Sequence, residues 1–167
     1  MTAPVSRTGR YTTLLLWAMA AACVLALGLA LLAQYAFDML PCPWCVLQRL
    51  IFVVIAVVSI VAALVTSRAP RVGLASLAAL LSLSGIAAAV YQHNVAAQTN
   101  SCNLTFADKV VGALQLDSLM PSVFSATASC AEASVSVFGV PFAYWSLAMY
   151  VLLGVTAVAV VGRSRRN

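Results

Sequence analysis

Four apolar blocks run through the chain, at 11–37, 46–67, 72–92 and 140–162, and polar residues collect between them. Each block supplies the roughly 20 apolar residues that a membrane-crossing helix needs. No charge interrupts the first block, and Arg49 alone interrupts the second. A short polar interval at 38–45 and a long one at 93–139, rich in Ser, Thr, Asn and Asp, fall on the same side of the expected bundle. The pattern predicts an all-α integral membrane protein, a four-transmembrane-helix bundle forming one domain over 1–167, with a short first loop and a long second loop. Within the long loop, "LTFADKVVGALQL" sets Phe106, Val110 and Leu114 four residues apart. That spacing predicts a short helix lying on the membrane surface, which would restrain the loop near Cys42.

Composition agrees with the pattern. Of the 167 residues 63% are hydrophobic and 8% charged, and the mean hydropathy is +1.03, whereas soluble domains carry about 25% charged residues. Charge placement then orients the bundle, because Lys and Arg are retained on the cytoplasmic side. Arg7 and Arg10 precede the first block, Arg68 and Arg71 separate the second and third, and Arg163, Arg165 and Arg166 follow the fourth. All four acids (Asp38, Asp108, Asp117 and Glu132) fall on the other side. Both termini are therefore expected to be cytoplasmic and both loops to face the opposite compartment.

The same placement removes two other readings. A net charge of +5 could suggest nucleic acid, but these arginines flank apolar spans and no basic patch with interleaved aromatics accompanies them, so no nucleic-acid partner is expected. A signal peptide would also begin with Arg7 and Arg10, and Ala20-Ala21-Ala22-Cys23 faintly resembles a lipoprotein cleavage site. The apolar run continues through "VLALGLALLAQYAF", beyond the roughly 7–15 residues of a signal core. A retained helix is expected.

Once the chain is oriented, the cysteines divide. Cys42 and Cys45 fall in the short loop, Cys102 and Cys130 in the long one, and Cys23 midway along the first block. Four of the five thus face the side where disulfides persist, an even set that suggests two pairs. Cys102 and Cys130, taken alone, could be a structural staple worth about 3–4 kcal/mol on the chain-entropy model. Cys42 and Cys45 could not, since a loop of that length restrains almost no chain entropy. A structural zinc site wants four ligands in paired spacing, which the loop cysteines lack, so no metal is expected. Cys23, among Ala, Val and Leu, reads as a small buried hydrophobe.

Redox chemistry remains for Cys42-Pro43-Trp44-Cys45, and the local physics favours it. Pro43 suits the first position of a helix, where its missing N–H costs nothing. Cys42 then becomes the cap, and Cys45 lies in the first turn, where free N–H groups and the helix dipole favour negative charge on sulfur. Arg49 lies four residues beyond Cys45 on the same helical face. An ionisable side chain at that depth is costly and points to function, although a long arginine can also snorkel to the headgroups.

These residues resemble the bacterial DsbB disulfide bond formation proteins. The likeness covers nearly the whole chain: four spans with both ends inside, "PCPWCVLQRL" opening the second span, Cys102 and "SCAEA" in the long loop, and "FGVPFAYWSLAMY" entering the fourth span. The last segment is also similar to the vitamin K epoxide reductases, but in those proteins the loop cysteines precede the C-x-x-C, the reverse of the order here. The resemblance implies an enzyme of the bacterial inner membrane, with its loops in the periplasm. Such an enzyme reoxidises a DsbA-like periplasmic thiol oxidase and passes the electrons to the membrane quinone pool, ubiquinone or menaquinone. It implies that Cys102 forms the mixed disulfide with the partner and pairs with Cys130 at rest. Cys42 would exchange with Cys130, and Cys45 would act on the quinone beside Arg49. His93 in "YQHN" corresponds to a residue near the family's quinone site; the Gln that follows it by four residues there is Ala97 here, with Gln98 next.

A magnitude explains the quinone. In the DsbA–DsbB–quinone relay itself, the worked case of this chemistry, DsbA lies at about −120 mV and ordinary structural disulfides lie below about −300 mV. An ordinary pair oxidising DsbA would face roughly 180 mV, or about 8 kcal/mol uphill. The electrons need a stronger acceptor, and one dissolved in lipid explains a C-x-x-C at the membrane lip. Two rivals predict other behaviour: an epoxide reductase of the vitamin K type would turn over an epoxide, and a tetraspanin-like organiser would carry only structural disulfides and a Cys-Cys-Gly that this chain lacks.

Overall fold

The computed structural model describes residues 7–98 and 105–166. Four long helices form the body: α1 (Arg7–Ala36), α2 (Pro43–Leu64), α3 (Arg68–Asn94) and, last in the chain, α7 (Phe142–Arg166). All four are long and apolar enough to cross a membrane. The protein is thus an all-α, four-helix membrane protein, as the apolar blocks predict. Each helix begins ahead of its block or close to it, because the polar ends of a span remain helical once water and headgroups surround them.

The helices pack α1 on α2, α2 on α3, and most extensively α3 on α7. The second is the most enclosed of the four. Small residues permit the close approach: Ala75 and Ala78 of α3 and Ala157 of α7 are fully buried, as expected where lipid removes the usual hydrophobic drive between helices. Gly85 lies directly against the ring of Tyr150. That ring is fully buried, stacks on Phe52 with centroids 4.3 Å apart and planes 4° from parallel, and its hydroxyl donates to the carbonyl of Gln48, 2.8 Å away. Cys23 is buried in this core, 1% exposed, as its apolar neighbours predict.

The long loop is more structured than its polarity suggests. A 3₁₀ turn (Ala96–Gln98), three short helices, α4 (Phe106–Ala113), α5 (Leu116–Leu119) and α6 (Pro121–Phe124), and a hairpin, β1 (Ser136–Val137) with β2 (Val140–Pro141), fill its described part. The expected surface helix is α4, started by a capping box in which Thr105 and Asp108 satisfy each other's backbone N–H groups. Phe106 and Leu114 of the expected apolar series stay on its outer side. Ala107 and Val111 turn inward beside α2, while Phe106 and Leu114 are 66% and 54% exposed. The helix presents its smaller side chains to the protein because they admit a closer approach, and leaves the larger ones outside. The hairpin turns through Phe138 and Gly139, both at positive φ (53° and 79°), the combination that suits a two-residue turn.

Candidate functional site

Cys42 caps α2. Its backbone is extended, Pro43 follows as the first helical residue, and the Cys42 sulfur accepts the N–H of Cys45 at 3.4 Å. The cap and proline therefore stand where local chemistry puts them, and the two sulfurs come to 3.0 Å. Trp44 between them packs against Tyr91 of α3, the rings tilted by 37° with centroids 4.6 Å apart.

Below this cap lies a buried polar cluster in the span. Gln92 of α3 donates from Nε2 to the Cys45 sulfur at 3.1 Å and accepts from Nε2 of Gln48. Arg49, 5% exposed, donates to Oε1 of Gln34 at 2.7 Å, to the Val123 carbonyl at 2.8 Å and to the Ala30 carbonyl at 3.5 Å. Its direct bonds thus go to α1 and the long loop, whereas the side chain bonded to Cys45 is Gln92. Sequence reasoning passed over Gln34, Gln48 and Gln92. The signal available was an amide inside an apolar span, which is as much a mark of function as a charge.

The long loop is tied across the head of α2. Thr127 and Ala128 donate backbone N–H groups to the carbonyl of Pro41, at 3.0 and 3.3 Å. Tyr35 of α1 donates to the Ser122 carbonyl at 2.6 Å, next to the carbonyl held by Arg49. In "SCAEA", Ser129 and Glu132 form reciprocal bonds, with Glu132 accepting from the Ser129 N–H and hydroxyl and its own N–H returning to the Ser129 oxygen. The result seats Cys130 in a buried cluster with Cys42, Ala96 and Ala133.

Cys42 consequently lies between two sulfurs. A hydrogen bond to Cys130 first, a second with Cys45, and then burial push its thiol well above the ordinary range. The same bond holds the Cys130 thiol below its ordinary value, against burial and with help from the Trp44 N–H. The proton stays on Cys42, and Cys130 is the more acidic partner. Cys102 lies outside the described residues.

A cavity of about 530 Å³ opens beside Cys45. Arg49, Gln48, Gln92 and Ser146 contribute polar side chains, and the remaining lining is largely apolar, from α1, the short loop, α2, the hairpin and the start of α7. Leu29 and Leu32, each 54% exposed, carry its α1 wall to the outer surface of the bundle. His93 is not in that wall. Its ring rests on Tyr144, with centroids 4.7 Å apart, while its neighbour Gln92 faces the cavity. Among the described residues no group of three metal-ligating side chains occurs.

Comparison with known proteins adds an independent finding. The family model described as disulfide bond formation protein DsbB matches residues 12–160. Disulfide bond formation protein B of Ralstonia nicotianae is 38% identical over 141 residues, covering 83% of this chain and 87% of that protein. The corresponding protein of Herminiimonas arsenicoxydans is 33% identical over 139 residues, with coverage of 83% and 87%. Disulfide bond formation protein B 1 of Pseudomonas syringae pv. syringae is 32% identical over 146 residues, with coverage of 87% and 86%. No solved structure matches the chain.

Proposed function

The chain belongs to the DsbB family of disulfide bond formation proteins, a multi-pass membrane oxidoreductase by that membership, and from this premise we propose that it oxidises a DsbA-like periplasmic thiol oxidase and delivers the electrons to membrane quinone. In this reading the protein sits in the bacterial inner membrane with both termini cytoplasmic and both loops periplasmic. The arginines at one end of the bundle and the acids at the other support that orientation.

The observation that carries the proposal is the series Cys130, Cys42, Cys45, cavity: each sulfur lies beside the next, and the last lines the cavity. The residues around it fit a quinone. A mostly apolar pocket with the Arg49 guanidinium in its lining fits a ring bearing carbonyl oxygens, and its α1 wall leads to the surface a lipid tail would follow. When bound, quinone supplies a sink for two electrons and two protons.

Each protein group then has one task. A dithiol partner reduces the Cys102–Cys130 disulfide by exchange through Cys102. Cys130, seated against Cys42, attacks Cys42 of the Cys42–Cys45 disulfide; the Cys130–Cys42 bond forms and Cys45 leaves as thiolate. Cys102 then attacks Cys130, restoring the loop disulfide and returning a thiol to Cys42. Closing Cys42–Cys45 again releases two electrons and two protons, which reduce quinone to hydroquinone. Arg49 would hold an oxygen of the acceptor in the cavity, whereas His93, which lies outside the cavity wall against Tyr144, would act on it only through that ring.

The test is an anaerobic titration of the full chain with a reduced DsbA-type oxidase and a soluble quinone, following quinone absorbance. Wild type should reduce quinone in proportion to the dithiol added, and Cys45→Ser should not. Equal turnover by both, or none by folded wild type with a competent partner, overturns the proposal.

A further inference from the structure

Gln92 and Gln48 have no task in the relay, yet they are only 5% and 3% exposed, inside spans. Two buried amides in a membrane interior are costly unless each finds a partner. They bond to each other across α2 and α3, Gln48 donating to the Gln92 oxygen, and Gln92 donates from Nε2 to the Cys45 sulfur, 3.1 Å away. Among the described residues no other side-chain nitrogen donates to that sulfur, because the bonds of Arg49 go to Gln34, Val123 and Ala30.

We propose that Gln92 is a catalytic residue of dithiol oxidation, its amide N–H stabilising the Cys45 sulfur as negative charge collects there, and that Gln48 is the positioning residue that aims this amide. The inference rests on the reading of Cys45 as the sulfur facing the electron acceptor. A fixed donor beside a developing charge acts strongly where water is excluded, and it favours a thiolate over a disulfide sulfur, which is a poor acceptor. An amide suits the task because it is neutral and carries both a donor and an acceptor. With Gln48 donating to its oxygen, Gln92 must present N–H to the sulfur. Turned over together, Gln92 donates to Gln48 and offers its oxygen to a Cys45 thiol. The pair keeps its mutual bond in either arrangement, so the sulfur can gain or lose a proton without leaving a buried amide unpaired.

The experiment uses the reduced full chain in detergent micelles, with Gln92→Met and Gln48→Met. Iodoacetamide labelling at fixed neutral pH is read at each cysteine by mass spectrometry, alongside kcat and KM for a soluble quinone. In Gln92→Met we expect labelling of Cys45 and kcat each to fall about tenfold, with the quinone KM within about twofold of wild type. Gln48→Met should move both in the same direction by less. Buried Cys23 reports loosening of the bundle and should stay unlabelled. Wild-type labelling of Cys45 in both variants overturns the inference. So does faster labelling of Cys45 together with Cys23, since the amides would then only hold the helices together. If wild type itself reduces no quinone, the functional reading fails, and labelling of Cys45 still decides the role of the amide.

Discussion

Arg49, within the second span, donates to the backbone carbonyl of Val123 in the long loop, 2.8 Å away and 74 residues distant in sequence. One side chain therefore touches both the cavity beside Cys45 and the loop that carries Cys130. Nη1 of the planar guanidinium bonds both Gln34 and Val123 while Nη2 reaches the Ala30 carbonyl; a lysine ammonium has one nitrogen and cannot occupy both positions. Arg49→Lys is expected to raise the quinone KM by about tenfold and to speed hydrogen exchange of the amides of 121–125, measured by mass spectrometry. Unchanged exchange there would show that the loop is held without Arg49.

Tyr35 holds the adjoining carbonyl, that of Ser122, from α1. The phenol is exposed, so its bond is worth the lower part of the usual 0.5–1.5 kcal/mol or so. Tyr35→Phe should accelerate exchange over the same segment by less than Arg49→Lys and leave the thermal midpoint of the bundle unchanged. A fall in that midpoint would mean that Tyr35 supports the helices and not only the loop.

Gly85 is where α3 makes room for Tyr150. An added Cβ would sit well inside van der Waals contact with the tyrosine ring, which cannot move freely because it stacks on Phe52 and bonds to the Gln48 carbonyl. Overpacking of this kind costs about 1–3 kcal/mol, more than the gain of up to about 1 kcal/mol from replacing a helical glycine. Gly85→Ala should unfold at a lower temperature in micelles and, by shifting the turn of α2 that bears Gln48 and Arg49, reduce turnover. Wild-type stability would imply that the ring yields.

The elements that sequence made legible are those whose cause is local. Four apolar blocks suffice for four spans, and Cys42 before Pro43 suffices for a cap, because each depends on neighbours within one helical turn. The position of α4 was legible for the same reason, whereas the residues it packs on α2 were not. Phe106, Val110 and Leu114 form an apolar series that suits a membrane surface, and the small inward residues Ala107 and Val111 beside it carry no pattern of their own. In the candidate site, Cys42, Cys45, Cys130 and Arg49 stand out in the sequence because such residue types are rare in this context. Its glutamines do not, since Gln92 meets Cys45 across 47 residues and Gln48 across 44. The bond from Thr127 to the Pro41 carbonyl uses backbone alone and leaves no side-chain mark at all.

The proton shared near Cys42 gives the reduced protein a defined response to pH. Cys130 is held below the ordinary thiol value chiefly by its bond from Cys42. Its thiolate therefore adds stability that is present above the unfolded pKa of about 8.5 and is lost as pH falls through the lowered folded value. Cys42 is held above the ordinary value chiefly by the same bond. Its thiol adds stability that is present below about 8.5 and is lost as pH rises through the raised value. The reduced form should accordingly be most stable near the unfolded thiol value and weaken on both sides. Labelling offers the sharper check, because it separates the two sulfurs. Cys130 should react with iodoacetamide at pH values where an ordinary thiol is still protonated, and Cys42→Ala, which removes the donor, should slow Cys130 at neutral pH by about tenfold. If Cys130 labels in Cys42→Ala as fast as in wild type, the proton of the reduced protein is not held by Cys42, and the pH response derived from that bond fails.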